Sequence, residues 1–150
     1  MHIKRILTRK EIKKYFWNQK FGIETKDLDQ EVYTDPKWCQ FIFNQIIQNS
    51  IKYRKEEGAK ISFSAQKEKD SILFTIQDNG IGIKEAEIER VWDKGFTGTN
   101  GRSGKKSTGL GLYLCKKLCD KLGIGIALES KEGEGTKVVF TFPMNSYFTF

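Results

Sequence analysis

Ile61, Phe63 and Ala65 alternate with polar neighbours, and Ile72, Phe74 and Ile76 do the same after a polar interval at Gln66 to Asp70. A period of two marks a strand with one buried face, so 60–65 and 71–77 are predicted to form a hairpin. Two more strands are expected at 124–130 and 137–142, separated by a stretch with two glycines, and 26–33 has room for a short one. Helical spacing governs elsewhere. Thr8-Arg9-Lys10-Glu11 has the capping-box pattern and opens a helix expected over 8–21. Asp35-Pro36 supplies an N-cap and a first helical residue for a helix reaching about Arg54. A short helix is expected at 84–92. Another starts near Gly109, with Leu110, Leu114, Cys115, Leu118, Cys119 and Leu122 on one face and Gly123 as its stop. Between them, Gly95 to Ser107 holds four glycines and almost no apolar side chain, which reads as a loop. This order of helices and strands implies an α/β (α+β) two-layer sandwich, one mixed β-sheet with helices packed on one face, in a single domain over 1–150.

Three stretches suggest chemistry. At 100° per residue, Gln45, Asn49, Lys52 and Tyr53 form a polar stripe on the 36–54 helix, opposite Phe43, Ile46, Ile47 and Ser50. An ordinary solvent face would look the same, although Asn has poor propensity inside a helix. Asp78-Asn79-Gly80-Ile81-Gly82-Ile83 follows a strand directly. Its carboxylate can accept from a ligand amino group while the glycines let backbone approach; the bland reading is a tight Asx turn. Ser107-Thr108-Gly109-Leu110-Gly111-Leu112 carries a loop into a helix, where free N–H groups favour phosphate. Gly104-Lys105-Lys106-Ser107-Thr108 is not a P-loop, because Thr99 stands where the first glycine belongs and no strand precedes it. Neither Gly80-x-Gly82 nor Gly109-x-Gly111 has the third glycine of a dinucleotide fingerprint.

Composition narrows the class. A chain of 150 residues, 38% hydrophobic and 13% aromatic, suits one folded domain. Apolar runs such as Phe41-Ile42-Phe43 fall far short of the roughly 20 residues a membrane span needs, and no signal-peptide core opens the chain. A soluble, cytoplasmic domain without membrane contact is therefore expected. Cys39, Cys115 and Cys119, with the single His2, fit free buried thiols better than a zinc site, a disulfide framework or a Cys-His nucleophile. The net charge of +7 asks for an anionic partner, and nucleic acid, acidic lipid and nucleotide phosphate all have the right sign.

In their order and spacing, the motifs resemble the catalytic, ATP-binding domain of sensor histidine kinases in the GHKL superfamily, over about residues 30 to 143. Residues 45–53 match its N box, Asp78 to Ile83 its G1 box, Trp92 to Phe96 its F box, Ser107 to Leu112 its G2 box, and Gly133-Glu134-Gly135-Thr136 its last Gly-x-Gly-Thr element. Within that group, Gly95 to Arg102, with Ser107 to Leu114 after it, is most similar to intramembrane-sensing kinases related to bacitracin and antimicrobial-peptide sensors. The resemblance implies the Bergerat (GHKL) fold, with ATP and Mg²⁺ as ligands. It implies that Asn49 coordinates Mg²⁺, Lys52 reaches a phosphate, Tyr53 lies beside the nucleotide and Asp78 accepts from the adenine amino group. Gly80, Gly82, Ile83, Phe96 and Thr136 would line the nucleotide, and Thr108, Gly109, Leu110, Gly111 and Leu112 would cradle phosphates. Residues 93–108 would be the ATP lid, with Arg102, Lys105 or Lys106 as the cation on the γ-phosphate.

One departure decides the implied reaction. Hydrolysing members of the superfamily place a water-activating Glu where Gln45 stands, and Gln cannot serve as a general base. The resemblance then implies phosphoryl transfer by a protein-histidine kinase, with Gln45, Asn49 and Lys52 as its catalytic set. His2 sits in no phosphoacceptor motif. The acceptor histidine is thus expected on a separate dimerisation domain, with a response regulator beyond it and a parent protein anchored in the cell membrane. A non-catalytic nucleotide-binding module and a GHKL ATPase are the alternatives; a nucleic-acid partner is not expected.

Overall fold

The computed structural model describes residues 1–17, 19–96 and 111–144. Its strands are β1 Gly22–Lys26, β2 Lys60–Lys67, β3 Ser71–Asp78, β4 Gly125–Lys131 and β5 Gly135–Pro143. They form one mixed sheet in the order β1-β2-β3-β5-β4. The helices are α1 Ile3–Ile6, α2 Arg9–Tyr15, α3 Pro36–Lys52 and α4, described over Gly111–Leu122, with a 3-10 turn at Glu85–Arg90.

Connection length sets the pairing. β1 reaches β2 through α3, and a crossover helix of that kind returns the chain parallel. β2 and β3 are joined by a short turn and pair antiparallel, as do β4 and β5. The register places inward residues opposite one another: Phe63 beside Ile76, Phe74 beside Phe140, Ile72 beside Phe142. That face is covered by the helices. Phe43 of α3 is 1% exposed and meets Phe74 at 4.8 Å, Phe140 at 5.1 Å and Phe142 at 6.5 Å between ring centroids. The sheet's other face, with Ser62, Ser64, Leu73, Thr75, Val139 and Thr141, is only half-buried. The mixed sheet with helices on one face is the architecture expected from the pattern.

Local signals held where a side chain enforces them. Thr8 and Glu11 form the full capping box of α2, and Asp35 accepts from the Lys37 and Trp38 N–H groups to cap α3. Four expectations are corrected. The first helix is not continuous over 8–21: it stops at Tyr15, because Phe16 turns inward against Phe21 at 4.8 Å and Gly22 starts β1 by donating to the Ala59 carbonyl. The strand expected within 26–33 lies instead at Gly22–Lys26, and Asp27, at φ 57°, turns the chain out of it. The 84–92 helix is a 3-10 turn over Glu85–Arg90, whose N-cap Lys84 offers no acceptor side chain to its N–H groups. Leu114 points outward at 38% exposure, since the buried stripe of α4 is centred on Cys115 and Cys119. The short helix α1 shows no capping or periodic signal in the sequence, yet buries Ile3 and Ile6 completely.

Cys39, Cys115 and Cys119 are free and buried between α3 and α4, where the Cys115 Sγ–H lies 3.7 Å from the Ile42 carbonyl. Burial pushes the thiols up to about 11 for Cys39 and about 12 for the other two, so they act as small apolar side chains.

Since the helix layer meets the sheet through Phe43, Phe43→Ala is expected to lower unfolding free energy by about 3–5 kcal/mol. Urea titration of both proteins checks this, and a loss under about 1 kcal/mol would mean that the aromatic cluster does not join the layers.

Candidate functional site

Asp78 ends β3, and its carboxylate is held from three directions. Ser50 of α3 donates to Oδ2 at 2.7 Å, while the Gly80 and Thr136 N–H groups donate to Oδ1 at 2.9 and 3.3 Å. Burial raises the Asp78 pKa above the usual carboxylate range, and the Ser50, Gly80 and Thr136 donors lower it again in part. The side chain therefore has one orientation and little water. Ser50 is 5% exposed and was read from sequence only as part of the buried helix face. A hydroxyl on an otherwise apolar face is the signal that could have found it, because a buried donor needs an acceptor.

The segment after Asp78 is tied down residue by residue. Asn79 caps the β2 edge, accepting from Lys60 N–H at 2.7 Å and donating to the Gly58 carbonyl at 2.9 Å. The Ile81 N–H bonds the Tyr53 carbonyl at the end of α3, at 3.0 Å. The Ile83 N–H bonds Ser130 Oγ at 2.9 Å, and that hydroxyl also bonds the Gly135 carbonyl and Thr136 Oγ1, each at 2.8 Å. Ser130 is a second positioning residue that the motifs did not reveal. Gly82 sits at φ 71°, and a β-carbon there would overlap the Lys131 carbonyl, so its close approach is to the β4–β5 turn. Gly135, at φ 124°, is pressed in the same way against the Asp78 carbonyl.

Helix α3 presents Gln45, Asn49, Lys52 and Tyr53 as half-buried groups on the side expected. Lys52 Nζ stands 5.3 Å from the Tyr53 ring centroid, and burial holds the Tyr53 phenol above its usual pKa, hence neutral. Gln45 Oε1 lies 2.9 Å from where a β-carbon on Gly111 would stand, which brings α3 against the start of the described part of α4. Leu112 packs against the core. Phe96 is contacted by Arg90, 5.1 Å from its centroid, and Lys94 next to it reaches Tyr113 of α4 at 5.9 Å. The structure thus gathers Asn49, Lys52, Tyr53, Asp78, Gly80, Gly82, Ile83 and Thr136 about the ends of α3 and β3, with Gln45 and Gly111 one step along α3. Arg102, Lys105, Lys106, Thr108, Gly109 and Leu110 lie outside the described residues, as does most of the expected lid.

A polar helix face and a fixed carboxylate at a strand end, with Gly111 of α4 beside Gln45, can hold a base at one end and phosphates at the other. Among the described residues no three His, Cys, Asp or Glu side chains cluster as a metal cage. The Asn49 amide suits a hard cation that keeps waters and phosphate oxygens as its other ligands.

Known proteins match this arrangement. The sensor histidine kinase YxdK of Bacillus subtilis is 38% identical over 114 residues, covering 76% of this chain and 35% of YxdK. The sensor histidine kinase GraS of Staphylococcus haemolyticus is 40% identical over 121 residues, 78% of this chain and 35% of that protein. The chain thus spans about a third of the length of these relatives. Among solved structures, the catalytic domain of the histidine kinase ThkA superposes with a TM-score of 0.75 at 22% identity, over 96% of this chain and 93% of that one. The mycobacterial sensor histidine kinase MprB gives 0.79 at 18%, over 95% and 96%. The family profile for histidine kinase-, DNA gyrase B- and HSP90-like ATPases matches residues 34–146. With most of its length inside that profile and its sheet and helices in the same arrangement, the chain belongs to the family of histidine kinase-, DNA gyrase B- and HSP90-like ATPases.

Proposed function

We propose that this domain binds Mg·ATP and passes the γ-phosphate to a histidine on a separate dimerisation domain of a two-component sensor kinase. The reading is carried chiefly by Asp78, a desolvated carboxylate with one orientation and acceptor capacity left for an adenine amino group. Ser50, Gly80 and Thr136 fix it, so that acceptor is set before the base arrives. Asn49 and Lys52 lie along the same face toward Gln45 and would meet the phosphates, Lys52 as a point charge and Asn49 through its amide oxygen to Mg²⁺. The metal supplies charge neutralisation on the phosphate oxygens. Gln45, which cannot take a proton, leaves the chain without a water-activating base there, and this favours transfer over hydrolysis. Tyr53, Gly82, Ile83, Phe96, Arg102 and the stretch Thr108 to Leu112 complete the proposed nucleotide contacts. A response regulator would receive the phosphoryl group in turn. We place the domain on the cytoplasmic side of a parent anchored in the cell membrane.

Asp78→Asn turns one acceptor oxygen into a donor facing the adenine amino group. Affinity for an ATP analogue should fall by about 1–3 kcal/mol, roughly ten- to a hundredfold, in calorimetric titration. Ser50→Ala, which leaves the Gly80 and Thr136 donors in place, should cost nearer 1 kcal/mol. Unchanged affinity in both variants would place the base elsewhere.

Proton linkage gives a second expectation. With its folded pKa raised, Asp78 contributes most to stability when protonated, and that contribution fades as pH rises through the folded value. Base recognition runs the other way, since the ionised carboxylate is the stronger acceptor and the protonated form turns one oxygen into a donor. Nucleotide affinity should therefore weaken as pH falls through the raised Asp78 pKa, and the Asp78→Asn protein should lack that slope. A slope of equal size in both proteins assigns the titration to another group.

Transfer itself is tested by mixing the domain, Mg·ATP and a purified histidine-bearing dimerisation domain. Acid-labile phosphate on the histidine is expected. Steady ATP turnover by the domain alone, lost in Gln45→Ala, would instead make it a hydrolase.

A further inference from the structure

The positive charge of this chain is not spread over it. Residues 1–20 hold seven of its 26 Lys and Arg residues and only one of its 19 acidic ones, leaving 19 basic and 18 acidic residues for the other 130. Nearly all of the net charge of +7 therefore sits in this N-terminal piece, far along the chain from the nucleotide motifs.

The fold presents that charge rather than hiding it. Ile3, Ile6, Leu7, Ile12 and Phe16 of α1 and α2 are buried in the core, while Lys4, Arg5, Arg9, Lys10, Lys13, Lys14 and Lys20 are exposed. On α2, Arg9, Lys13, Lys10 and Lys14 fall within a stripe about 140° wide at 100° per residue. Trp17, in the turn after the helix, is 81% exposed. Glu11 stands off the stripe and is occupied by the Thr8 N–H and the Gln40 amide. Among the described residues none of the seven cations forms an ion pair.

We infer that the basic face of α2 docks on an anionic lipid surface, with Trp17 seated at the headgroup level. Three features select lipid over an acidic protein. The exposed cations are five Lys to two Arg, whereas protein interfaces enrich Arg and deplete Lys. The face carries one large apolar side chain rather than the cluster of anchors that a protein interface packs at its centre. Trp beside Lys and Arg is also the residue set of a membrane–water boundary, where an indole sits among headgroups and cations meet phosphates. The apolar side of α2 is already used in the core, so the contact is peripheral and electrostatic, not insertion of an amphipathic helix. Short apolar runs speak against a membrane span but not against such a contact, and here the inference departs from the expectation that this domain makes none. The inference rests on charge placement and is independent of the nucleotide chemistry.

The test is co-sedimentation of the whole 150-residue chain with vesicles of phosphatidylcholine alone or mixed equally with phosphatidylglycerol. Binding to the mixed vesicles only is expected, falling about tenfold or more when salt is raised from low to about 0.5 M. Lys10→Glu/Lys13→Glu/Lys14→Glu should abolish it and Trp17→Ala should weaken it several-fold. Calorimetric binding of an ATP analogue by the same variants should stay at the wild-type value, which shows them folded and separates this result from the proposed function. Absence of vesicle binding by the wild-type chain, equal binding to neutral vesicles, or no change in the charge-reversed protein would each overturn the inference. Retention of polyglutamate or single-stranded DNA in place of vesicles would do so too, by assigning the face to another polyanion.

Discussion

The carboxylate of Asp78 is where three separately built parts of the molecule are locked into one relation. Ser50 comes from the last turn of the fold's long helix, Gly80 from the segment leaving β3, and Thr136 from the strand paired beside it. Each donor offsets part of the cost of burying a charge, and none does so completely, since burial remains the larger influence on its pKa. The helix must therefore lie at one height on the sheet for the carboxylate to be satisfied. That same height sets Tyr53 against the Ile81 N–H and carries Asn49 and Gln45 along the face between β3 and α4.

The aromatic cluster under α3 supplies the depth of this arrangement and the polar links supply its register. Phe43 touches three sheet phenylalanines, a non-directional contact that would tolerate small sliding of the helix. A hydrogen bond of 2.7 Å from Ser50 would not. On the far side, Gly82 and Gly135 let the β4–β5 turn close onto the Asp78 segment with no side chain between them. The proposed base pocket, with backbone on one side and a fixed carboxylate on the other, would leave recognition to hydrogen-bond sense rather than to induced fit.

Much of this was legible in the residues. The central strands announced themselves because one face is buried and the other is not, which writes a period of two into 61–65 and 72–76. The caps at Thr8 and Asp35 were visible because they are local, requiring only residues two or three positions away. β1 was misplaced for the complementary reason: all five of its residues are exposed at the sheet edge, so no alternation marks it. Ser50 and Ser130 were missed because their partners lie 28 and 47 residues away, at Asp78 and Ile83, and such pairings exist only once the sheet has formed. The stripe of Gln45, Asn49, Lys52 and Tyr53 lies together on α3, but the nucleotide role proposed for it rests on motif order rather than on periodicity, which cannot tell a binding face from a solvated one. The 20 N-terminal residues illustrate the same limit: their charge was counted in the chain's total, and only the burial of Ile12 and Phe16 shows which way the cations point.

If Asp78 is the base-reading group, discrimination should depend on one exocyclic substituent. The most direct measurement is calorimetric titration of the wild-type domain, with Mg²⁺, against paired non-hydrolysable triphosphates carrying adenine or hypoxanthine, which differ at the 6-position by an amino donor against an oxo acceptor and at N1 by an acceptor against a donor. Binding of the hypoxanthine form at least roughly tenfold weaker is expected, because its oxygen would face the Asp78 carboxylate. Equal affinities for the two would contradict the account, since the carboxylate held by Ser50, Gly80 and Thr136 would then not be what recognises the base.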